Sequence, residues 1–233
     1  MTSGRFIAVI CGLKSEAAAV RAASSSGALR IGVSGASAQR AEALAKDFCR
    51  DGAKAVLSVG VSGGLAPSLQ PGDLLIGETV RTRTGEEFSA NPNLLAAIAL
   101  ESVATTMQRA VLFGADEIVA TAAAKRRLYD RYDAAAVDME SHGAARAARM
   151  AGIPFAAVRA IADPASRALP EAALHAVTPD GGTKVMSVLW ACAKSPGQFP
   201  AILQLGSDSE AALKSLRGGL GGLLRRLLFS LDL

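Results

Sequence analysis

Aromatic side chains are scarce in this chain of 233 residues, at 4%. Proteins that grip nucleic acid by stacking bases need aromatic platforms. A formal net charge of +4 does not substitute for them, so no nucleic-acid partner is expected. Cysteine is also rare. Cys11, Cys49 and Cys192 are scattered with no C-x-x-C pair, which points to reduced thiols in a cytosolic protein. Two histidines, His142 and His175, make no metal-ligand cluster, so no metal is expected. No apolar run reaches the ~18 residues that a spanning helix needs. The run Phe6–Cys11 is short, and Lys14 and Glu16 place charges soon after it, so no signal peptide is expected. The dinucleotide pattern G-x-G-x-x-G and the phosphate loop G-x-x-x-x-G-K-[ST] are both missing, so no nucleotide cofactor is expected.

Small apolar residues fill the space that aromatics leave. Half the residues are hydrophobic and 23 are glycine, a composition that suits close helix–sheet packing. The length fits one α/β domain. Strand patterns at Phe6–Cys11, Leu29–Val33, Ala53–Val61, Asp73–Arg83, Ala110–Phe113, Ala135–Met139 and up to Ile161 alternate with helical ones. The helices are expected at Ser15–Ala23, Ala36–Cys49, Asn91–Thr105, Thr121–Tyr132 and Glu140–Ala151. Such alternation predicts a central mixed sheet flanked by helices.

Two acids stand where such folds place ligands. Glu140 follows Ala136-Val137-Asp138-Met139, and Asp163 ends an apolar run beginning at Pro154. Both fall just past the carboxyl ends of expected strands. A buried acid needs a partner or a task. On helical spacing Glu140 shares a small apolar face with Ala144, Ala147 and Ala151, while His142, Arg146 and Arg149 form a polar face. A helix-start acid favoured by the macrodipole explains Glu140 equally well. The Gly-rich turn Gly60–Pro67 and the turn Ser34-Gly35 allow close backbone approach to a ligand, and each is a weak signal alone.

The order of these pieces is more specific. A Glu follows the first strand; then come Ser34-Gly35, Gly63-Gly64-Leu65-Ala66-Pro67, Val137-Asp138-Met139-Glu140 and Val158-Arg159-Ala160-Ile161-Ala162-Asp163. Over about residues 5–165 the chain resembles the nucleoside phosphorylase superfamily, on the side of the methylthioadenosine/S-adenosylhomocysteine nucleosidases. The resemblance implies that Asp163 protonates the purine at N7 and that Glu16 activates water. It implies that Glu140 holds the ribose hydroxyls, with Met139 packing on the sugar. Ile118 and Val119 would meet the base, Ser62 and Gly63 the substrate, and Ser34 and Gly35 the nucleophile end. It also implies a homodimer and no organic cofactor.

These residue types suit N-glycosidic cleavage. The leaving base needs a proton from an acid whose burial keeps it protonated, and a carboxylate at the sugar stabilises the developing positive charge. Phosphorolytic relatives place an arginine in the first loop, and Cys11–Glu16 has none. That favours water over phosphate, with Lys14 and Arg40 leaving phosphorolysis as the alternative. A further alternative is a nucleoside-binding protein without catalysis.

The chain departs from the nucleosidase pattern in three places. Val61 and Ala162 each replace a serine, and only a short link joins Arg83 to Asn91, where the nucleosidases close over the 5′ substituent. With Val137–Gly143 and the Leu-rich basic end, that shortening resembles the hopanoid-associated phosphorylase-like proteins. This resemblance implies release of adenine from adenosylhopane. Residues 1–206 are then the catalytic domain and 207–233 an amphipathic segment, its helix starting at the capping box Ser207–Glu210. That segment is expected either to pack in the core or against a partner subunit, or to lie on the inner face of the membrane.

Overall fold

The computed structural model describes residues 5–99, 107–174, 176–182, 197 and 199–231. Among the described residues the strands are β1 (Phe6–Cys11), β2 (Leu29–Val33), β3 (Ala53–Gly64), β4 (Leu74–Thr82), β5 (Glu87–Ser89), β6 (Met107–Gly114), β7 (Ala136–Asp138) and β8 (Phe155–Asp163). The helices are α1 (Lys14–Ala23), α2 (Ala38–Arg50), α3 (Pro92–Ala99), α4 (Ala122–Tyr132), α5 (Ser141–Ala151), α6 (Glu171–Leu174) and α7 (Phe199–Ser230). The chain is a single α/β domain with a mixed sheet, as its alternating pattern predicts.

The sheet runs β2-β1-β3-β7-β6-β4-β5, and β8 pairs with both β3 and β4. The strands β3, β8, β4, β6 and β7 therefore form a closed ring, with β1 and β2 extending from β3. The long strand β3 makes this possible. It pairs in parallel with β1 along Ala53–Ser58 and antiparallel with β7 at Gly63 and Gly64. Ser62-Gly63-Gly64, expected as a turn, is thus the end of a strand. Glycine suits it because a Cβ on Gly63 would lie 3.3 Å from Val137 and 3.4 Å from the Asp163 carboxyl.

Two apolar layers cover the sheet. Val9, Leu57, Val59, Val158 and Ala160 pack with α1, α3 and α7 on one side. Ala8, Ile10, Val56, Ala157 and Ile161 pack with α2 and α5 on the other. Alanine on α5 lets that helix approach closely: a Cβ on Gly143 would collide with the Ala38 backbone of α2. Asn91 caps α3, its Oδ1 accepting from the amides of Asn93 and Leu94 at 3.0 and 3.2 Å. The rest of the helix expected to reach Thr105 lies outside the described residues.

Three expectations change. No helix starts at Ser207: α7 begins at Phe199 and runs through that position. Its Leu216, Leu220, Leu223, Leu224 and Leu227 are buried in the first apolar layer. Ser207, the residue expected to cap, lies inside that helix, and its neighbour Asp208 is buried and paired with Arg167. The three-residue strand β5 was too short to show a period. His142, expected on a polar face, is buried against Gly114, with Nε2 3.1 Å from Asp116 Oδ1. Cys11 and Cys49 carry free thiols, while Cys192 and His175 lie outside the described residues. Among the described residues, no helix is long and apolar enough to cross a membrane.

Candidate active site

A buried polar cluster gathers at the carboxyl ends of β1, β3, β7 and β8. Glu16, one turn into α1, folds its carboxylate back over the β1–α1 turn. Its Oε2 accepts from the amides of Gly12 and Leu13, each at 2.8 Å. Its Oε1 accepts from the amide of Val61 on β3 at 2.8 Å. A carboxylate has about four acceptor sites, so Oε1 keeps one for a further donor. Burial raises the proton affinity of Glu16 and outweighs those three bonds. Gly60 makes the arrangement possible, because a Cβ there would lie 2.8 Å from Glu16 Oε1.

Glu140 faces the same turn from the other side. A Cβ on Gly12 would lie 2.5 Å from its Oε1. Burial first, then the charges of Asp138 and Glu16, push the carboxyl up to about 8 against the pull of Arg159. Met139, half-buried, leads into it from β7. Glu140 thus starts α5 as a buried acid, and Asp138 does the capping: its Oδ1 accepts from the amides of Glu140 and Ser141 at 2.8 and 2.7 Å.

Arg159 balances these acids. It is fully buried on β8, with Nη2 3.0 Å from Asp138 Oδ1, 2.7 Å from Ser58 Oγ and 3.8 Å from Glu140 Oε2. Burial alone would raise Asp138, but Arg159 and Ser141 hold it below the ordinary value. Three acids share one arginine, so they cannot all ionise cheaply. Glu140, 3.8 Å from Nη2 where Asp138 is at 3.0 Å, holds its proton more tightly than Asp138 does. Neither Asp138 nor Arg159 was singled out from sequence. An arginine inside an otherwise apolar strand run was the available signal.

Asp163 ends β8 opposite Gly63. Burial raises its carboxyl against the pull of Lys125. That lysine, on α4, is fully buried and forms an ion pair with Asp163 Oδ2. Sequence reading missed it, since a lysine after Ala122-Ala123-Ala124 looks like any helix-surface residue.

The remaining predicted residues divide. Gly63 pairs with Asp163 in the sheet, and Ser62 shares a face of β3 with Ser58 and Gly60; the buried Ser62 hydroxyl has no partner among the described residues. Ser34 is turned inward, its amide donating to Cys11 O at 2.8 Å and its hydroxyl to the same oxygen at 3.3 Å. The Gly35 amide donates to Gly12 O at 2.9 Å. These groups shape the first turn without offering donors to a ligand. Ile118 and Val119 line a cavity of about 990 Å³ with Phe113, Arg83 and Tyr132, and neither Glu140 nor Asp163 lines it. The two cations near the first turn have other partners. Lys14 pairs with Asp180 at 2.5 Å, and Arg40 donates to the carbonyls of Ser34 and Gly35 at 2.5 and 2.6 Å.

Solved structures share this fold. Futalosine hydrolase of Helicobacter pylori matches with a TM-score of 0.72 at 14% identity, over 95% of this chain and 97% of that one. The 5′-methylthioadenosine/S-adenosylhomocysteine nucleosidase of Neisseria meningitidis, in complex with methylthio-immucillin-A, matches with a TM-score of 0.72 at 15% identity, over 94% and 98%. The S-adenosylhomocysteine nucleosidase of Streptococcus pyogenes matches with a TM-score of 0.70 at 18% identity, over 97% and 98%. Identities this low speak for the fold alone. The family model of the phosphorylase superfamily matches residues 14–194, most of the chain, and the chain belongs to that superfamily.

Proposed function

We propose that this protein is an N-ribosyl hydrolase that releases adenine from a 5′-substituted adenosine. The observation that carries the reading is that Glu16, Glu140 and Asp163 are all buried at strand ends, each beside a glycine (Gly60, Gly12 and Gly63) that leaves its carboxyl room. Each has a separate task. Asp163 gives its proton to N7 as the glycosidic bond breaks, and the bond pair leaves with the base. Glu140 holds the ribose hydroxyls, with Met139 against the sugar. Water attacks the anomeric carbon and loses its proton to Glu16, whose Oε1 retains an acceptor site. General acid or base help of this kind contributes about 10²–10⁴-fold per group.

Water is favoured over phosphate because Lys14 and Arg40 are committed to protein partners. A dianion beside Glu16 would also meet a like charge. The 5′ substituent is proposed to be large. Residues 83–86 alone join β4 to β5 in a hairpin, so no long segment folds over from that side. Adenosylhopane, yielding ribosylhopane, is the substrate this reading names. Contact with an anionic membrane then falls to the exposed cations Lys214, Arg217 and Arg225 of α7, since Leu216, Leu220, Leu223, Leu224 and Leu227 of that helix are inside the protein.

The test is chromatography of adenine released from adenosylhopane and from methylthioadenosine, each with and without phosphate, by wild type and Asp163→Asn. Phosphate-independent release from the lipid substrate, lost in the variant, is the expected result. A requirement for phosphate would make the protein a phosphorylase. Turnover of methylthioadenosine alone would retire the lipid substrate and keep the acid chemistry. Tight nucleoside binding with no release from either substrate would favour a binding protein.

A further inference from the structure

Lys125 is a fully buried lysine with three acceptors and no apolar role. Its Nζ donates to Pro164 O at 2.9 Å and to Arg167 O at 3.0 Å, and its third proton faces Asp163 Oδ2. An ammonium carries three donors, so every one is used. Burying that charge is costly unless paired, and the pair sits 38 residues apart in sequence on the one acid placed to protonate a leaving base.

We propose that Lys125 is a positioning residue for the acid: it fixes the Asp163 carboxyl and stabilises the carboxylate left behind when the proton passes to the leaving purine. The inference rests on the hydrolase reading above. In the step itself the O–H bond of the Asp163 carboxyl breaks, N7 gains the proton, and the ammonium stays protonated throughout. Burial favours the protonated acid before the step, and Lys125 makes the same acid a stronger donor. The other charged groups facing the pair are Arg167, from the turn after β8, and Asp208, from α7. They are paired with each other and largely offset one another. The carbonyl of Arg167 that holds Lys125 is thereby tied to α7, which positions the lysine from outside the site.

The experiment compares wild type, Lys125→Gln, Lys125→Arg and Asp163→Asn. Glutamine keeps two N–H groups for the two carbonyls and removes the charge. Carboxyl ¹³C NMR titration, with Asp163→Asn identifying the resonance, needs no substrate. In Lys125→Gln, Asp163 is expected to titrate at higher pH than in wild type. With adenosylhopane or methylthioadenosine, kcat falls about 10–100-fold, KM moves less, and the alkaline limb of the kcat profile shifts upward. Lys125→Arg keeps the limb near its wild-type place. If Asp163 titrates unchanged in Lys125→Gln and kcat falls only with the folded fraction, Lys125 is merely structural and the proposal is overturned. If Asp163→Asn itself turns over at the wild-type rate, the acid assignment fails instead, and this proposal with it.

Discussion

Arg159 Nη2 lies 3.0 Å from Asp138 Oδ1, with both side chains about 1% exposed. This pair anchors the cluster, because Glu140 and Glu16 draw on the same guanidinium. Removing one partner of a buried pair typically costs about 3–5 kcal/mol. Arg159→Met should exceed most single substitutions here, since it leaves buried Asp138 without its countercharge and takes the Arg159 donor from Ser58. Urea unfolding should show a midpoint far below wild type, and adding Asp138→Asn should recover part of the loss. If Arg159→Met unfolds at the wild-type midpoint, the cluster does not depend on that charge.

Glu140 makes stability depend on pH with a definite sign. Its carboxyl, pushed up to about 8 by burial, binds a proton more tightly folded than unfolded. That stabilisation is fully present below the ordinary carboxyl range and is lost as pH rises through about 8. Glu16 and Asp163 are shifted the same way. The unfolding temperature should therefore fall between about pH 5 and pH 8. Glu140→Gln, which cannot titrate, should show a shallower fall. Parallel curves for the two proteins would mean that Glu140 is already ionised in the folded chain.

Much of this was legible from local pattern. Val158–Ile161 reads as a buried strand from its apolar run alone, and Asn91-Pro92 reads as a helix start from turn chemistry. Both acids land at strand ends because the alternation of elements puts them there. What stayed hidden depends on topology. Lys125 meets Asp163 only because α4 leads back to the end of β8, and no local period reports a pairing across that distance. Ser62-Gly63-Gly64 reads as a turn because glycine signals one, yet here glycine leaves room for Val137 and the Asp163 carboxyl. The C-terminal leucines carry a clear helical period, but period cannot say whether a membrane or the chain's own core covers them. The capping box at Ser207 failed for a related reason: the helix already runs from Phe199, so Ser207 falls inside it and has no helix end to cap.

Gly12 offers a way to separate the proposed sugar-holding role of Glu140 from its role in folding. A Cβ at that position would lie 2.5 Å from Glu140 Oε1 and 2.9 Å from its Cδ. The obstructing group is the end of a flexible side chain, so the carboxyl shifts and the backbone stays. The stability cost of Gly12→Ala should fall at the low end of the ~1–3 kcal/mol typical of overpacking. Gly143→Ala makes the contrast, because there the Cβ meets the Ala38 backbone and α2 and α5 must part. If Glu140 holds the ribose hydroxyls, Gly12→Ala should raise KM by about tenfold or more, since misplacing a positioning group is costly even at ~1 Å. Thermal unfolding and steady-state kinetics on the same preparation read both effects. A normal KM in a folded Gly12→Ala protein would mean that the displaced carboxyl was not the sugar's partner.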